Sequence, residues 1–230
     1  VGQPLVIHVI VALCSTEYGQ CGGKAKGDPA DLESNLYWGA IFGARRLFDS
    51  PNSPWTRVSS TASGGQVLEH IVYQKSGGPF GQTFVSLEAW NGSHTDDAIE
   101  KFWNIATGGG QVTIQGRPET IHAVGYVGYN RLLDDVKLPA AASGQPIPSF
   151  VLARNSERTF GRELRQAGSF PLVTTNGTMA PEGYTILAAA RAMADNYSPR
   201  AIRVRMIEDY KLYQKISERA AAATFAWPHP

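Results

Sequence analysis

Apolar positions along this chain form short β-rich runs that alternate with helical stripes. The first run spans Gln3 to Leu13 (Leu5, Val6, Ile7, Val9, Ile10, Val11) and predicts a central strand buried on both faces. A Gly-rich stretch from Ser15 to Asp31 predicts a long loop. Asn35 to Phe48 is apolar almost all round (Leu36, Trp38, Ile41, Phe42, Leu47), so a deeply buried helix is expected there. Pro51 to Ser63, with two prolines and six Ser or Thr, is expected to be irregular. Leu68–Lys75 and Thr83–Ala89 read as strands around the Gly-Gly-Pro turn at 77–79. Thr95 to Ala106 is the clearest helix, with Ile99, Phe102, Trp103 and Ala106 on one stripe and Thr95 as its expected cap.

The second half continues the alternation. After an extended piece at 112–114 come two buried strands, 122–130 and 148–156, joined by a Pro/Ala/Gly-rich linker. Ser156 is the expected cap of a helix from Glu157 to Gln166, and Phe170–Thr174 is a short strand. Pro181 falls in the expected first turn of an Ala-rich helix reaching Asp195, and Ser198-Pro199 opens a last long helix striped by Ile202, Met206, Tyr210 and Ile216. Strands alternating with helices predict one α/β domain over residues 1–230. Its central sheet should be mostly parallel with helices on both faces, and any ligand site should lie at the carboxyl ends of the strands.

Composition narrows the function classes. An apolar share of 43% and a charged share of 18% are those of an ordinary globular core. The net charge of +1 offers no field for nucleic acid, and the basic residues from Arg191 to Arg219 interleave with acids as on a solvated helix face. No stretch reaches the roughly 20 apolar residues of a membrane span. The chain begins at Val1 rather than Met, as a processed or trimmed form does, so a soluble and exported mature chain is one expectation.

Candidate chemistry is sparse. Cys14 and Cys21 read as a buried thiol plus a loop thiol, or as a small disulfide loop in an exported protein. Cys14, at the end of the first strand, is also a candidate nucleophile. His8, His70, His94 and His229 are scattered without a helix-spaced pair, so neither a metal site nor a cofactor is expected. His122 falls at the start of its strand, away from the expected site, and should be a packed or hydrogen-bonded residue. Gly-x-Ser-x-Gly does not occur, and Gly22–Gly27 lacks the spacing of a phosphate loop. Asn91-Gly-Ser and Asn176-Gly-Thr match the glycosylation triplet, which has meaning only on a eukaryotic secretory route.

The segment His122-Ala-Val-Gly-Tyr-Val-Gly-Tyr129-Asn130, followed by Pro148-Ser-Phe-Val-Leu-Ala-Arg154-Asn155-Ser156, resembles the third and fourth strands of caspase-like cysteine peptidases. The order of elements is similar over most of the chain, which implies a three-layer caspase-like sandwich. In that family the third strand leads to the catalytic histidine and the fourth to the catalytic cysteine. Here Tyr129 stands in the first place and Arg154 in the second. A tyrosine of ordinary pKa near 10 is a poor base, and a permanently charged arginine is no nucleophile. The resemblance therefore implies a pseudo-peptidase acting as a binding or regulatory module, with a peptide or polar small molecule as its occupant. Glu17, Glu88, Asn91, Asn130, Asn155 and Ser156 are expected on the same strand-end rim, and Arg154 could pair a carboxylate. Two other readings remain open: a hydrolase using Cys14 or Ser156 as nucleophile, and a doubly wound small-ligand-binding domain.

Overall fold

The β-rich run after Gln3 forms strand β1 (Leu5–Ala12) in the computed structural model, which describes residues 3–19 and 21–229. Every residue of β1 after Leu5 is buried, as expected of a strand with neighbours on both edges and cover on both faces. It pairs in parallel with β4 (Gln82–Trp90) on one side and β7 (Ala123–Val127) on the other. Beyond β7 the parallel set continues through β8 (Ser149–Leu152) to β9 (Pro171–Val173). On the opposite edge β3 (Val67–Ser76) and β2 (Thr56–Ala62) add antiparallel, so the seven-stranded sheet is mixed but mostly parallel. Its order is β2-β3-β4-β1-β7-β8-β9. A small hairpin of β5 (Gln111–Ile114) and β6 (Arg117–Thr120) stands apart.

Alternation along β1 divides the interior into two apolar clusters. Ile7, Val9 and Val11 pack with Phe48 of α1 (Ala44–Phe48), Ile186 and Ala190 of α4 (Gly183–Ala194), and Ile202 and Met206 of α5 (Pro199–Gln214). Val6, Ile10 and Ala12 pack with the predicted stripe Ile99, Phe102, Trp103 and Ala106 of α2 (Thr95–Gly108), and with Leu164 of α3 (Arg162–Gln166). No helix of the described residues is long and apolar enough to cross a membrane.

Several elements differ from the sequence expectation. Residues 35–43 form turns, and only the last five residues of the expected helix are helical. The cause is Asn35, fully buried, whose amide donates to the carbonyls of Cys14 (2.9 Å) and Asp28 (2.7 Å) while its Oδ1 accepts from the Cys14 N–H (3.1 Å). Those bonds hold the segment against the end of β1 rather than in a helical ladder. The stretch expected to be irregular contains β2, an exposed edge strand of Ser, Thr and Val with no apolar alternation to announce it. Thr95 does not cap α2; its hydroxyl donates to the Gly92 carbonyl (2.6 Å) inside a preceding 3-10 turn, Gly92–His94. Residues 157–161 form a π turn before α3, and the Ser156 side chain does not cap it. Pro181 lies before α4, whose N-cap is Glu182. Ser198 does cap α5, accepting from Ala201 N–H (3.3 Å), but Lys215 in a left-handed conformation ends that helix and α6 (Glu218–Thr224) follows separately. His122 is hydrogen-bonded as expected, its Nδ1 accepting from Val6 N–H at 3.1 Å.

Candidate functional site

Counting only the parallel strands in chain order, the sheet runs second, first, third, fourth, fifth (β4, β1, β7, β8, β9). The direction of winding reverses between β1 and β7. Connections there leave in opposite directions and open a crevice beyond the carboxyl ends. A cleft of about 440 Å³ occupies this place. It is lined by Tyr18 and Gly19 after β1, Gly128, Tyr129 and Asn130 after β7, Arg154 after β8, and Tyr37, Thr178, Met179 and Pro181 from loops. The volume lies within the range of small-molecule sites.

Parallel pairing puts Tyr129 and Arg154 on this edge. The last register pair of β7 and β8 is Val127 with Leu152, and each residue stands two positions beyond its partner in that pair. Glycine is required at position 128, between the end of β7 and Tyr129. Its φ is +154°, and a Cβ there would meet the Ala12 carbonyl at 3.0 Å. Tyr126, fully buried, donates its hydroxyl to the Tyr129 carbonyl at 2.6 Å and so fixes the backbone under the cleft.

Asn130 is also buried, and its role is internal. Its amide donates to the Arg154 carbonyl (2.7 Å) and the Thr159 hydroxyl (2.8 Å), while Oδ1 accepts from Leu132 N–H (3.1 Å). Asn155, at φ +53°, exchanges bonds with Gly177: its N–H donates to the Gly177 carbonyl (2.8 Å) and its Oδ1 accepts from Gly177 N–H (2.6 Å). The backbone of Arg154 is thus held by neighbours on both sides. Its exposed guanidinium makes no hydrogen bond or ion pair among the described residues.

One wall of the cleft is aromatic. Tyr18 stacks on Tyr129 with centroids 5.7 Å apart and planes 22° from parallel, and the Arg131 guanidinium lies 4.6 Å from the Tyr18 centroid. Arg131 is itself paired with Asp96 (2.8 Å) and Asp134 (2.9 Å). Burial and the Asp134 carboxylate, which accepts from the Tyr129 hydroxyl at 3.3 Å, hold that phenol above its ordinary pKa, against the pull of Arg131 and Arg154. Tyr129 is therefore protonated at neutral pH and unsuited to act as a base. Burial, with Glu182 next, pushes the Tyr37 hydroxyl further up. Among the described residues Arg154 is the one formally charged side chain in the lining.

The other residues expected on the rim are dispersed. Cys14 and Cys21 form a disulfide, so Cys14 offers no thiolate in this structure. Ser156 is fully buried, its hydroxyl donating to the Val151 carbonyl (2.8 Å) and accepting from Thr175 N–H (2.8 Å). Neither of these candidate nucleophiles faces the cleft. Glu17 is exposed in the loop after β1 and does not line it. Asn91 accepts from Ser93 N–H (2.9 Å) as the cap of the 3-10 turn. Glu88 points to the α2 side, where it receives Lys101 (2.8 Å) and the Trp90 indole (2.9 Å).

Near Glu88 lies a buried polar chain that the sequence did not announce. Ser86 Oγ is 2.9 Å from His8 Nδ1 and 2.7 Å from His70 Nε2, and His8 Nε2 is 3.7 Å from Glu88. Strand parity alone carries the signal: His8, Ser86 and Glu88 all fall on the β1 and β4 face turned toward α2. No group of three or more His, Cys, Asp or Glu among the described residues is arranged to hold a metal ion. Comparison with protein-family models, with curated proteins and with solved structures finds no match for this chain.

Proposed function

We propose that this chain is a caspase-like α/β protein whose catalytic dyad has been replaced, and that it works as a ligand-binding or regulatory module through the strand-end cleft. In this reading the sheet and its two apolar clusters are the three-layer caspase-like sandwich, with Tyr129 and Arg154 in the places of the family histidine and cysteine. One observation carries it: both residues follow adjacent parallel strands in register and line one cleft. A protonated phenol and a guanidinium supply neither the base nor the nucleophile of thiol peptidase chemistry. Hydrolysis through Cys14 or Ser156 has no geometric support, since one is disulfide-bonded and the other buried in backbone hydrogen bonds. The disulfide accords with an exported protein.

The strand order β4-β1-β7-β8-β9 supports a broader second reading, a doubly wound small-ligand-binding domain with the same cleft as its site. An NMR titration of the labelled protein with a mixed peptide library tests the binding role. Shifts clustering on Tyr18, Gly128, Asn130 and Thr178 are the expected result, and shifts confined to other surfaces overturn it. A thiol-directed peptidase probe should leave the protein unlabelled; turnover of any library peptide, or a probe adduct, ends the pseudo-peptidase reading.

A further inference from the structure

The proposed cleft combines one unpaired cation with an apolar and phenolic wall, and that combination selects a ligand class. We infer that the occupant is a carboxylate carried on an apolar or aromatic body, with Arg154 receiving the carboxylate and the Tyr18–Tyr129 wall receiving the body. The inference rests on the cleft being a binding site and adds the chemistry of what it binds.

Four features support it. Among the described residues the cleft lining holds a single formal charge, and it is positive. Unlike Arg131, whose guanidinium is taken up by Asp96 and Asp134, Arg154 has its hydrogen-bonding fork unengaged among the described residues. Its backbone does not need to reorganise on binding, because the Asn130 amide holds its carbonyl at 2.7 Å and Asn155 is tied to Gly177. Planar guanidinium and planar carboxylate match in two parallel N–H···O bonds, stronger than neutral ones and directional. Met179, Pro181, Tyr37 and the parts of Tyr18 and Tyr129 left open by their mutual stacking line the rest of the cleft, where a nonpolar body would lie. A bare inorganic anion would leave that surface unused.

The carboxylate has two chemical sources, a free organic acid or the C-terminus of a peptide. At about 440 Å³ the cleft takes a single aromatic amino acid in either form. Calorimetric titration with N-acetyl-phenylalanine, its amide, the peptide acetyl-Gly-Ala-Phe with a free or amidated C-terminus, and inorganic phosphate separates these cases. The free acids should bind at least about tenfold more tightly than their amides. Arg154→Gln should remove that difference without changing the melting temperature, because the side chain is exposed and unpaired. Tighter binding of the tripeptide acid assigns the carboxylate to a peptide terminus, and equal binding assigns it to a free acid.

Acid and amide binding equally to the wild type, with both lost in Tyr129→Ala, sinks the carboxylate assignment and leaves the cleft as a binding site. Phosphate matching the acids sinks the apolar-body half. An acid preference that survives in Arg154→Gln places the carboxylate elsewhere and overturns the inference, as does the absence of saturable binding by any acid at millimolar concentration.

Discussion

Tyr18 and Tyr129 stack with their ring centroids 5.7 Å apart, although they leave different strands and are separated by over a hundred residues. The contact exists because the Cys14–Cys21 disulfide closes the loop that carries Tyr18, directly after β1. Asn35 secures the same loop by bonding both backbone groups of Cys14. The cleft wall is therefore built by a covalent clip at the winding reversal of the sheet.

Opening that clip should loosen both the fold and the wall. Closing a loop this short is worth about 2–3 kcal/mol through the unfolded chain. The double variant Cys14→Ser/Cys21→Ser should lose that amount in guanidinium denaturation and bind cleft ligands more weakly, as should Tyr18→Ala without the stability loss. Both sulfurs are buried, so a dithiol reductant should act on the native wild type only slowly. Rapid reduction under native conditions contradicts this placement.

Acid should destabilise the protein through the chain of side chains between β1, β3 and β4. Burial pushes the His8 imidazole down to about 4 against the pull of Glu88, with Lys101 and His70 adding to the burial effect. Burial also lowers His70. A histidine with a folded pKa below its unfolded value near 6.5 gives its full stabilisation above that value and loses it as pH falls. For His8 the window runs from about 6.5 down to about 4, and the loss reaches about 3 kcal/mol at its lower end. Glu88 acts lower still: burial works to raise it, but His8 and Lys101 hold it below the usual carboxylate value, so its share disappears below that range. Denaturation curves from pH 7 to 4 should show this acid limb, and His8→Gln should flatten it. An unchanged limb in that variant would exclude His8 as its source.

Ser156 and Asn130 separate structural from functional polarity around the cleft. Ser156→Ala leaves Thr175 N–H without its acceptor and should cost about 1–3 kcal/mol while ligand affinity is kept. Asn130→Ala removes the bond to the Arg154 carbonyl, so it should lower stability by a similar amount and weaken binding as well. Equal affinity losses in the two variants would mean that general loosening, not placement of Arg154, sets the affinity.

What could be read in the sequence follows from how local each determinant is. β1, α2 and the start of α5 carry apolar periods or caps within a few residues, and they were legible. Residues 35–43 were not, because apolar content all round suits a buried coil pinned by Asn35 as well as a helix. Edge strand β2 has its stability in pairing with β3, which no local period reports. Tyr129 and Arg154 were singled out through the resemblance to caspase-like peptidases, and both line the cleft. Tyr18, Tyr37, Thr178 and Met179 come from loops whose paths depend on a disulfide and on long-range hydrogen bonds, so nothing local pointed to them. Glu88 was misplaced by one step of strand alternation, which turns a side chain from the rim to the α2 face.

Restoring the dyad asks the most of the proposed ancestry. Arg154→Cys places a thiol where an exposed, unpaired side chain stood, so the fold should tolerate it. Alone, that thiol should keep an ordinary pKa near 8.5 and react slowly at neutral pH. Adding Tyr129→His places an imidazole two residues past the partner strand, in the matching register position. An imidazole within reach favours the thiolate, so labelling by a thiol-directed probe at pH 7 should rise at least about tenfold over the single variant. The native disulfide sets the background, which Tyr129→His alone measures. If the double variant labels no faster than Arg154→Cys, the two positions do not form a dyad pair, and the cleft owes its polar residues to ligand binding alone.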